Sequence, residues 1–165
     1  MYINDLDEVL DVPYLLYADD IKLYFKINDL SDCKPLQLNL DRILSWSIKN
    51  KLSLNPEKCV VMTYTRKRKA IIDDYQLNST SIYRPNFVND LGVTFDSKLS
   101  FNCHIQNVTT AAFNCLGYII RNFRDFSNIN TFISLYSALV RSKLEYACVV
   151  WVPTYNIYKN MLESV

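Results

Sequence analysis

Two adjacent aspartates, Asp19 and Asp20, are the residues of this chain whose type and position best suit chemistry. They follow the apolar run Tyr14–Ala18 and precede the segment Ile21–Lys26, in which apolar and polar side chains alternate. Alternation with a period of two is typical of a half-buried strand, so two strands are expected to meet at the aspartates in a tight hairpin. Two negative charges at a hairpin tip repel each other unless a cation lies between them, and Mg²⁺ prefers carboxylate oxygens.

The two carboxylates need not have the same role, because successive side chains of a strand point to opposite faces of the sheet. One of them can face a metal while the other supports the turn. The alternative is an ordinary solvated turn between two strands. The apolar flanks and the preceding Tyr17 and Ala18 favour a functional site.

The segment Tyr17–Asp20, followed by Ile21–Tyr24, resembles the YADD catalytic hairpin of reverse transcriptases from non-LTR (LINE-type) retrotransposons. Other segments resemble further blocks of that family, in the same order and over nearly the whole chain. These segments are Tyr2–Leu6, Trp46, Leu52–Cys59, Leu91–Asp96, Leu99, Phe101, His104–Ile105, Val140–Arg141, Leu144–Tyr146, Val150–Pro153 and Leu162–Val165.

The resemblance implies an α+β fold with two regions. Residues 1–99 would form a partial polymerase palm, in which an antiparallel sheet carries the YADD hairpin and a helix packs on it. Residues 100–165 would form a helical, thumb-like region. Because nothing matches the family's first catalytic aspartate or its Gln-Gly-Ser motif, the chain is expected to begin after them. It would then be a fragment of an RNA-directed DNA polymerase that is inactive alone.

The same resemblance implies roles for three residues. Asp19 would bind the catalytic Mg²⁺ (or Mn²⁺), Asp20 would be a supporting carboxylate and metal ligand, and Lys58 would lie near the phosphates of the incoming nucleotide. The alternative for Lys58 is an exposed lysine before a strand. Further carboxylates lie nearby in sequence but are expected to be solvated. They are Asp5, Asp7, Glu8 and Asp11.

The family's partners are an RNA or DNA template-primer and deoxynucleoside triphosphates. The basic run Arg66–Lys69 could grip a phosphate backbone, although a solvated hairpin end is the favoured interpretation. Four basic residues of the helical region could follow a template-primer, or could simply be solvated: Arg121, Arg124, Arg141 and Lys143. Two other functions stay open, a catalytically inactive nucleic-acid-binding remnant and an interaction module that completes a longer polymerase chain.

Composition indicates a folded intracellular protein, cytoplasmic or nuclear, without a membrane segment. Half of its 165 residues are hydrophobic, so disorder is not expected. No run approaches the roughly 18 apolar residues of a transmembrane helix, and the N-terminus lacks the pattern of a signal peptide.

A net charge of +1 does not indicate a nucleic-acid binder. The five cysteines lack the spacing of a zinc site, and His104 is expected to pack or to form hydrogen bonds.

Periodicity predicts the remaining elements. A helix is expected from Leu36 to about Asn50, and two apolar stripes, Ile105–Phe123 and Phe132–Leu144, predict helices separated at Ser127–Asn128. Strands are expected at Cys59–Thr65, Tyr75–Leu77, Ser81–Tyr83 and Phe87–Phe95, and loops at residues 5–13 and 28–35. The resemblance implies that the strand Tyr14–Tyr17 would pair in a whole palm with the aspartate-bearing strand that nothing here matches. Without that strand it is expected to present an exposed edge, and no Pro or Lys lies within it to discourage pairing.

Overall fold

The computed structural model describes residues 5–123 and 128–165, and these residues divide between Asn86 and Phe87 into two compact units. Helices and small antiparallel sheets are mixed in the chain, which confirms the α+β class. The division at residue 100 into palm and thumb concerns function and stays a prediction. No helix within the described residues is both long and apolar enough to cross a membrane.

The first unit contains two small sheets and one long helix. Its elements are α1 (Leu6–Val9), β1 (Tyr14–Tyr17), β2 (Asp20–Leu23), α2 (Cys33–Lys49), β3 (Gln76–Leu77) and β4 (Thr80–Ser81), with 3₁₀ turns at Leu30–Asp32 and Pro56–Lys58. β1 pairs with β2, and β3 pairs with β4, both antiparallel.

The second unit contains one hairpin and a series of helices. Its elements are β5 (Phe87–Asp90), β6 (Val93–Asp96), α3 (Asn102–Asn122), α4 (Ile129–Leu135), a π-helical stretch (Tyr136–Arg141), α5 (Ser142–Glu145), α6 (Cys148–Trp151) and α7 (Asn156–Glu163). Both predicted stripes are helical, and Asn128 caps α4 by accepting a hydrogen bond from the N–H of Asn130. Ser127 and Arg124 lie outside the described residues. Ile120 and Leu139, which the stripes included, are exposed.

Helix α2 organises the first unit because it contributes to two apolar clusters. Ile43 and Trp46 pack with Leu6 and Leu10, and the hairpin β1–β2 lies against this cluster. At the other end of α2, Cys33 belongs to the second cluster, with side chains of the β3–β4 region. The helix is tied to that region through one amide, because Gln37 both donates to and accepts from the backbone of Gln76 at 2.9 Å.

The prediction of a polar loop at residues 5–13 is wrong. The segment contains α1, and the side chains of Leu6, Leu10 and Val12 are buried. Leu6 and Leu10 lie four residues apart, so they fall on the same side of the chain and join one cluster. The acidic residues between them mask this pattern in the sequence.

The prediction of a strand at Cys59–Thr65 is also wrong. The segment makes a single parallel bridge, Val60 with Tyr83, and the N–H of Val61 donates to the carbonyl of Tyr83 at 3.0 Å. β-branched residues favour strands only where a neighbouring strand and a packed face are present. A ladder of partners is missing here, so β propensity alone does not produce a strand.

Residues 87–95 form a hairpin rather than the one strand predicted. Leu91 and Gly92 make the turn between β5 and β6 with φ of +47° and +80°. Two consecutive residues with positive φ are typical of the type I′ turn that suits the twist of a hairpin. The β3–β4 hairpin uses the same kind of turn at Asn78 and Ser79, close to the predicted position.

Asp96 connects the β5–β6 hairpin to α3. Its carboxylate accepts hydrogen bonds from the N–H groups of Lys98, Ser100 and Phe101 and from the Ser100 hydroxyl, at 2.8–2.9 Å. Burial by itself would raise the pKa of Asp96, but these bonds hold it below its ordinary value. The carboxylate thereby fixes a loop in which Leu99 and Phe101 have positive φ.

His104 has the packing and hydrogen-bonding role that the sequence predicted. It is buried, its Nδ1 accepts from the N–H of Thr94 at 3.2 Å, and its ring meets Trp151 edge to face at 5.1 Å. The indole N–H of Trp151 donates to the carbonyl of Tyr146, whose hydroxyl donates to the carbonyl of Leu91. This chain of contacts holds the C-terminal segment against the β5–β6 hairpin.

We predict that the protein loses stability on mild acidification through His104. Burial lowers its pKa below the ordinary 6.5, so the unfolded chain binds a proton that the folded chain does not. Stability from this group is therefore complete above about pH 6.5 and is lost as the pH falls through the lowered pKa. Urea unfolding between about pH 7.5 and pH 5.5 measures the loss.

The matched control is His104→Gln, which removes the titrating group and should flatten the pH dependence in this window. His104 is the only histidine, so its ring protons report its pKa directly by NMR. A measured pKa at or above 6.5 in the folded chain would contradict the assignment.

Candidate functional site

The Asp19–Asp20 pair lies at the turn of the β1–β2 hairpin. The pairing register joins Tyr17 to Asp20 and Leu16 to Ile21, which leaves Ala18 and Asp19 as a two-residue turn. Ala18 has the left-handed backbone, with φ of +51°, whereas Asp19 is not among the residues with positive φ. The left-handed conformation of this turn is therefore adopted by Ala18 and by neither aspartate.

The two aspartates occupy different positions in the hairpin. Tyr14, Ile21 and Leu23 pack against the first apolar cluster, so alternation along the strands places Asp20 on the opposite face, beside Tyr17. Asp19 belongs to the turn itself. Both aspartates are exposed. The pair is therefore open to solvent and to any ligand that approaches the hairpin tip.

Helix α2 positions the segment that leads into the hairpin. Asn39 is buried, its Oδ1 accepts from the N–H of Asp11 at 2.8 Å, and its Nδ2 donates to the carbonyl of Pro35 at 2.8 Å. Arg42, one turn further along α2, makes an exposed ion pair with Asp11. These contacts fix the chain three residues before β1 begins.

Sequence reasoning did not identify Asn39 or Arg42. A signal was present for Asn39, because it lies within the apolar stripe of α2, between Leu36 and Leu40. A polar side chain on the core face of a helix needs a buried partner, which marks it as a residue that holds another segment. No comparable signal distinguishes Arg42 from a solvated arginine.

The nearby carboxylates do not gather around Asp19 in the structure. Asp7 accepts a hydrogen bond from the Tyr14 hydroxyl, and Asp11 is paired with Arg42. Asp5 and Glu8 are exposed on or next to α1. Within residues 5–123 and 128–165, no three His, Cys, Asp or Glu side chains come together in an arrangement that could hold a metal ion.

Lys58 lies at the end of the 3₁₀ turn Pro56–Lys58 and is exposed. The turn is capped by Asn55, whose side chain accepts from the N–H of Glu57 at 3.0 Å, and Pro56 suits its first position. The sequence around Lys58 is therefore accounted for by the turn. The role of its ammonium group near a nucleotide stays a prediction.

The basic residues named as contacts for nucleic acid are exposed where the structure describes them. Arg66–Lys69 lies in an irregular segment rather than at a hairpin end. In the second unit Arg141 pairs with Glu145 at 2.7 Å, one turn away on the same helical surface. Arg121 and Lys143 are exposed. Of these groups, the Arg66–Lys69 run presents the densest positive charge.

Comparisons with known proteins connect this hairpin to polymerases. A profile of the family described as reverse transcriptase (RNA-dependent DNA polymerase) matches residues 1–120. The RNA-directed DNA polymerase from mobile element jockey of Drosophila melanogaster is 31% identical over 163 residues, 97% of this chain and 15% of that protein. The probable RNA-directed DNA polymerase from transposon BS of the same species is 28% identical over 95 residues, 56% of this chain and 10% of that protein.

An uncharacterised protein of Caenorhabditis elegans is 37% identical over 78 residues, 47% of this chain and 39% of that protein. The chain thus spans less than half the length of these relatives. No solved structure matches it.

We predict that Ala18→Gly stabilises the hairpin by about 1 kcal/mol, because an L residue with a Cβ is disfavoured in the left-handed region. Ala18→Val should destabilise it by a similar amount or more, since a β-branched side chain fits that region least. Chemical denaturation of the three proteins gives the order of stability. Equal stabilities would show that Ala18 does not have the backbone described.

Proposed function

The chain belongs to the reverse transcriptase (RNA-dependent DNA polymerase) family, and from this we propose that its hairpin supplies metal ligands to the polymerase of a LINE-type mobile element. The match over residues 1–120 carries the proposal, because it contains the whole of the β1–β2 hairpin. The proposed reaction is RNA-directed DNA synthesis, in which a primer 3′-hydroxyl attacks a deoxynucleoside triphosphate on a nucleic-acid template. In this proposal residues 1–99 are part of the palm and residues 100–165 are thumb-like.

The donor atoms of the proposed site suit Mg²⁺ or Mn²⁺. Asp19 and Asp20 offer carboxylate oxygens, which such cations prefer, and both side chains are exposed at the hairpin tip. When bound, two metal ions in such sites stabilise the attacking and leaving oxygens of phosphoryl transfer. We assign Asp19 as the ligand and Asp20 as its support. Lys58 is proposed to neutralise charge on the phosphates of the nucleotide.

Two neighbouring carboxylates make an incomplete site. Within the described residues no third His, Cys, Asp or Glu joins them, and Asp7 and Asp11 are engaged elsewhere. A further ligand would therefore have to come from another segment of a complete polymerase. This shortage favours, as the second candidate, a non-catalytic role for the isolated chain in binding nucleic acid or in completing a longer polymerase chain.

We predict that this chain alone extends no primer. Among the residues that the structure describes, no second strand supplies a ligand to the proposed site, so metals would not be held where they could assist the transfer. Primer extension with a primed RNA template, in Mg²⁺ and separately in Mn²⁺, measures this. Asp19→Ala is the matched control, and incorporation that this substitution abolishes would prove the prediction wrong.

A second prediction concerns nucleic acid, which the chain should bind weakly, without sequence preference and with strong dependence on salt. Each phosphate neutralised by a basic side chain releases about one counterion, so affinity falls steeply as salt rises. Replacing all four residues of Arg66–Lys69 with Gln should reduce the slope of log K against log salt by about 2 to 4. Titration of a labelled primed duplex at several salt concentrations provides the slopes.

The control for this experiment removes the same number of charges elsewhere in the first unit. Four exposed lysines outside the run are available for it: Lys26, Lys34, Lys49 and Lys51. Their replacement with Gln should leave the slope nearly unchanged. Equal losses in both variants would show that net charge, and not the run, determines binding. No binding by the unmodified chain would favour the module that completes a longer polymerase.

A further inference from the structure

A loop that carries four consecutive basic residues is closed at its base by Arg84. The Nη1 of Arg84 donates to the hydroxyl of Thr63 at 2.6 Å, and its Nη2 donates to the carbonyl of Asp73 at 2.7 Å. Residues 64–72, which we call the basic loop, lie between these two anchors and form neither helix nor strand. One guanidinium therefore holds both ends of the loop, and its planar fork of donors suits two acceptors at once.

The basic loop presents positive charge that the protein does not neutralise. Arg66–Lys69 are all exposed, and within residues 5–123 and 128–165 none of the four makes an ion pair. The stretch 63–84 contains five basic and two acidic residues, a net charge of +3, whereas the whole chain has +1. Such a stretch attracts a polyanion, because its cations replace the counterions that the polyanion binds in solution.

Tyr83, which precedes Arg84, has a fixed backbone and an exposed ring. Its carbonyl accepts from the N–H of Val61 at 3.0 Å, and the N–H of its neighbour Ile82 donates to the carbonyl of Tyr75 at 2.8 Å. Ile82 is buried in the second apolar cluster, and successive side chains of an extended chain point to opposite sides. The ring of Tyr83 is thereby turned outward, where it is 68% exposed.

We propose that the basic loop and Tyr83 form a subsite for single-stranded nucleic acid, with phosphates on Arg66–Lys69 and one base stacked on the Tyr83 ring. Val60, which bridges to Tyr83, precedes Arg66 by six residues, so at most about 20 Å of chain separates them. One short oligonucleotide can therefore reach the ring and the cations together. An aromatic ring can stack on the face of an unpaired base, whatever its sequence.

The inference rests on the contact with nucleic acid proposed above for Arg66–Lys69, and adds the kind of strand and the roles of Tyr83 and Arg84. An acidic peptide would also satisfy the charge. The match to a family described as reverse transcriptase (RNA-dependent DNA polymerase) favours nucleic acid as the occupant. The subsite does not need the metal site, because Ile82 packs in the second apolar cluster whereas the β1–β2 hairpin packs on the first.

The test measures binding of a labelled oligothymidylate of about 12 nucleotides to the full chain by fluorescence anisotropy. EDTA is present, so that no metal at Asp19 or Asp20 contributes. Tyr83→Ala should weaken binding about tenfold, because it removes the stacking ring and no charge. Tyr155→Ala is the matched control, since Tyr155 is 67% exposed and lies in the second unit, and it should leave the affinity unchanged.

Two further ligands separate stacking from charge. An abasic oligonucleotide of the same length keeps the phosphates and has no bases, so Tyr83→Ala should leave its affinity unchanged. A blunt duplex of the same length has the higher charge density but covers the faces of its internal bases. The unmodified chain should bind it about fivefold more weakly than the single strand at the same salt, and Tyr83→Ala should remove this preference.

Arg84→Lys tests the anchor without changing the net charge. A single ammonium cannot reproduce the fork that joins Thr63 to Asp73, so the basic loop loses its closure and both single strands should bind about threefold more weakly. Lys34→Arg is the matched control, because it also conserves charge at an exposed site of the first unit and should have no effect. The Tyr83 comparisons decide the question even if Arg84→Lys fails to fold.

The subsite is overturned if Tyr83→Ala and Tyr155→Ala bind oligothymidylate equally well, or if Tyr83→Ala weakens the abasic ligand as much. If replacing Arg66–Lys69 with Gln abolishes binding while Tyr83→Ala has no effect, the electrostatic contact with nucleic acid stands and the subsite does not. Absence of binding to every oligonucleotide would overturn both. Primer extension tests the metal site separately, so its result leaves this inference unchanged.

Discussion

The two-residue turn at Ala18 and Asp19 determines which side chains of the hairpin face the core and which face the solvent. A slip of one residue in the pairing of β1 with β2 would exchange the two faces of a strand. Ile21 and Leu23 would leave the apolar cluster, and Asp20 would be turned into it. Burying a carboxylate without a partner is costly, so the packing beneath the hairpin keeps Asp20 exposed. The position of the proposed metal ligands thus depends on apolar contacts that take no part in chemistry.

The sequence predicted the elements whose signals are local and failed where the outcome depends on distant partners. The β1–β2 hairpin, α2 and α3 follow from periodicity within a few residues. Cys59–Thr65 has strong β propensity but finds one bridge to Tyr83, a partner more than twenty residues away that no local pattern specifies. The contacts of Asn39 and Arg42 with Asp11 span 28 and 31 residues, so the positioning of the candidate site could not be derived from sequence, although its aspartates could.

The segments that resemble the polymerase family divide into two kinds when their burial is considered. The fold explains the identity of Asp96, His104 and Trp151, because the side chain of each holds a loop or a segment of the second unit in place. Asp19, Asp20 and Lys58 are exposed, and packing gives no reason for their identity. A residue that packing does not require is a better candidate for chemistry than one that the fold already explains. Exposure makes Asp19 and Asp20 accessible, but most charged side chains of the described residues are exposed too, so the proposed assignment of the hairpin tip rests on the family match.

Two-stranded sheets are marginal in water unless a helix or a further strand supports them. Here α2 supports the inner face of the hairpin, while Leu15 and Tyr17 on the outer face are 58% and 59% exposed. Within residues 5–123 and 128–165, no third ligand joins the two carboxylates of the proposed metal site, and neither strand of the hairpin pairs with a further strand. The missing ligand and the missing strand partner both concern the hairpin β1–β2. No residue of the described first unit supplies either of them. The proposed metal site therefore depends on a ligand from outside the described part of the first unit.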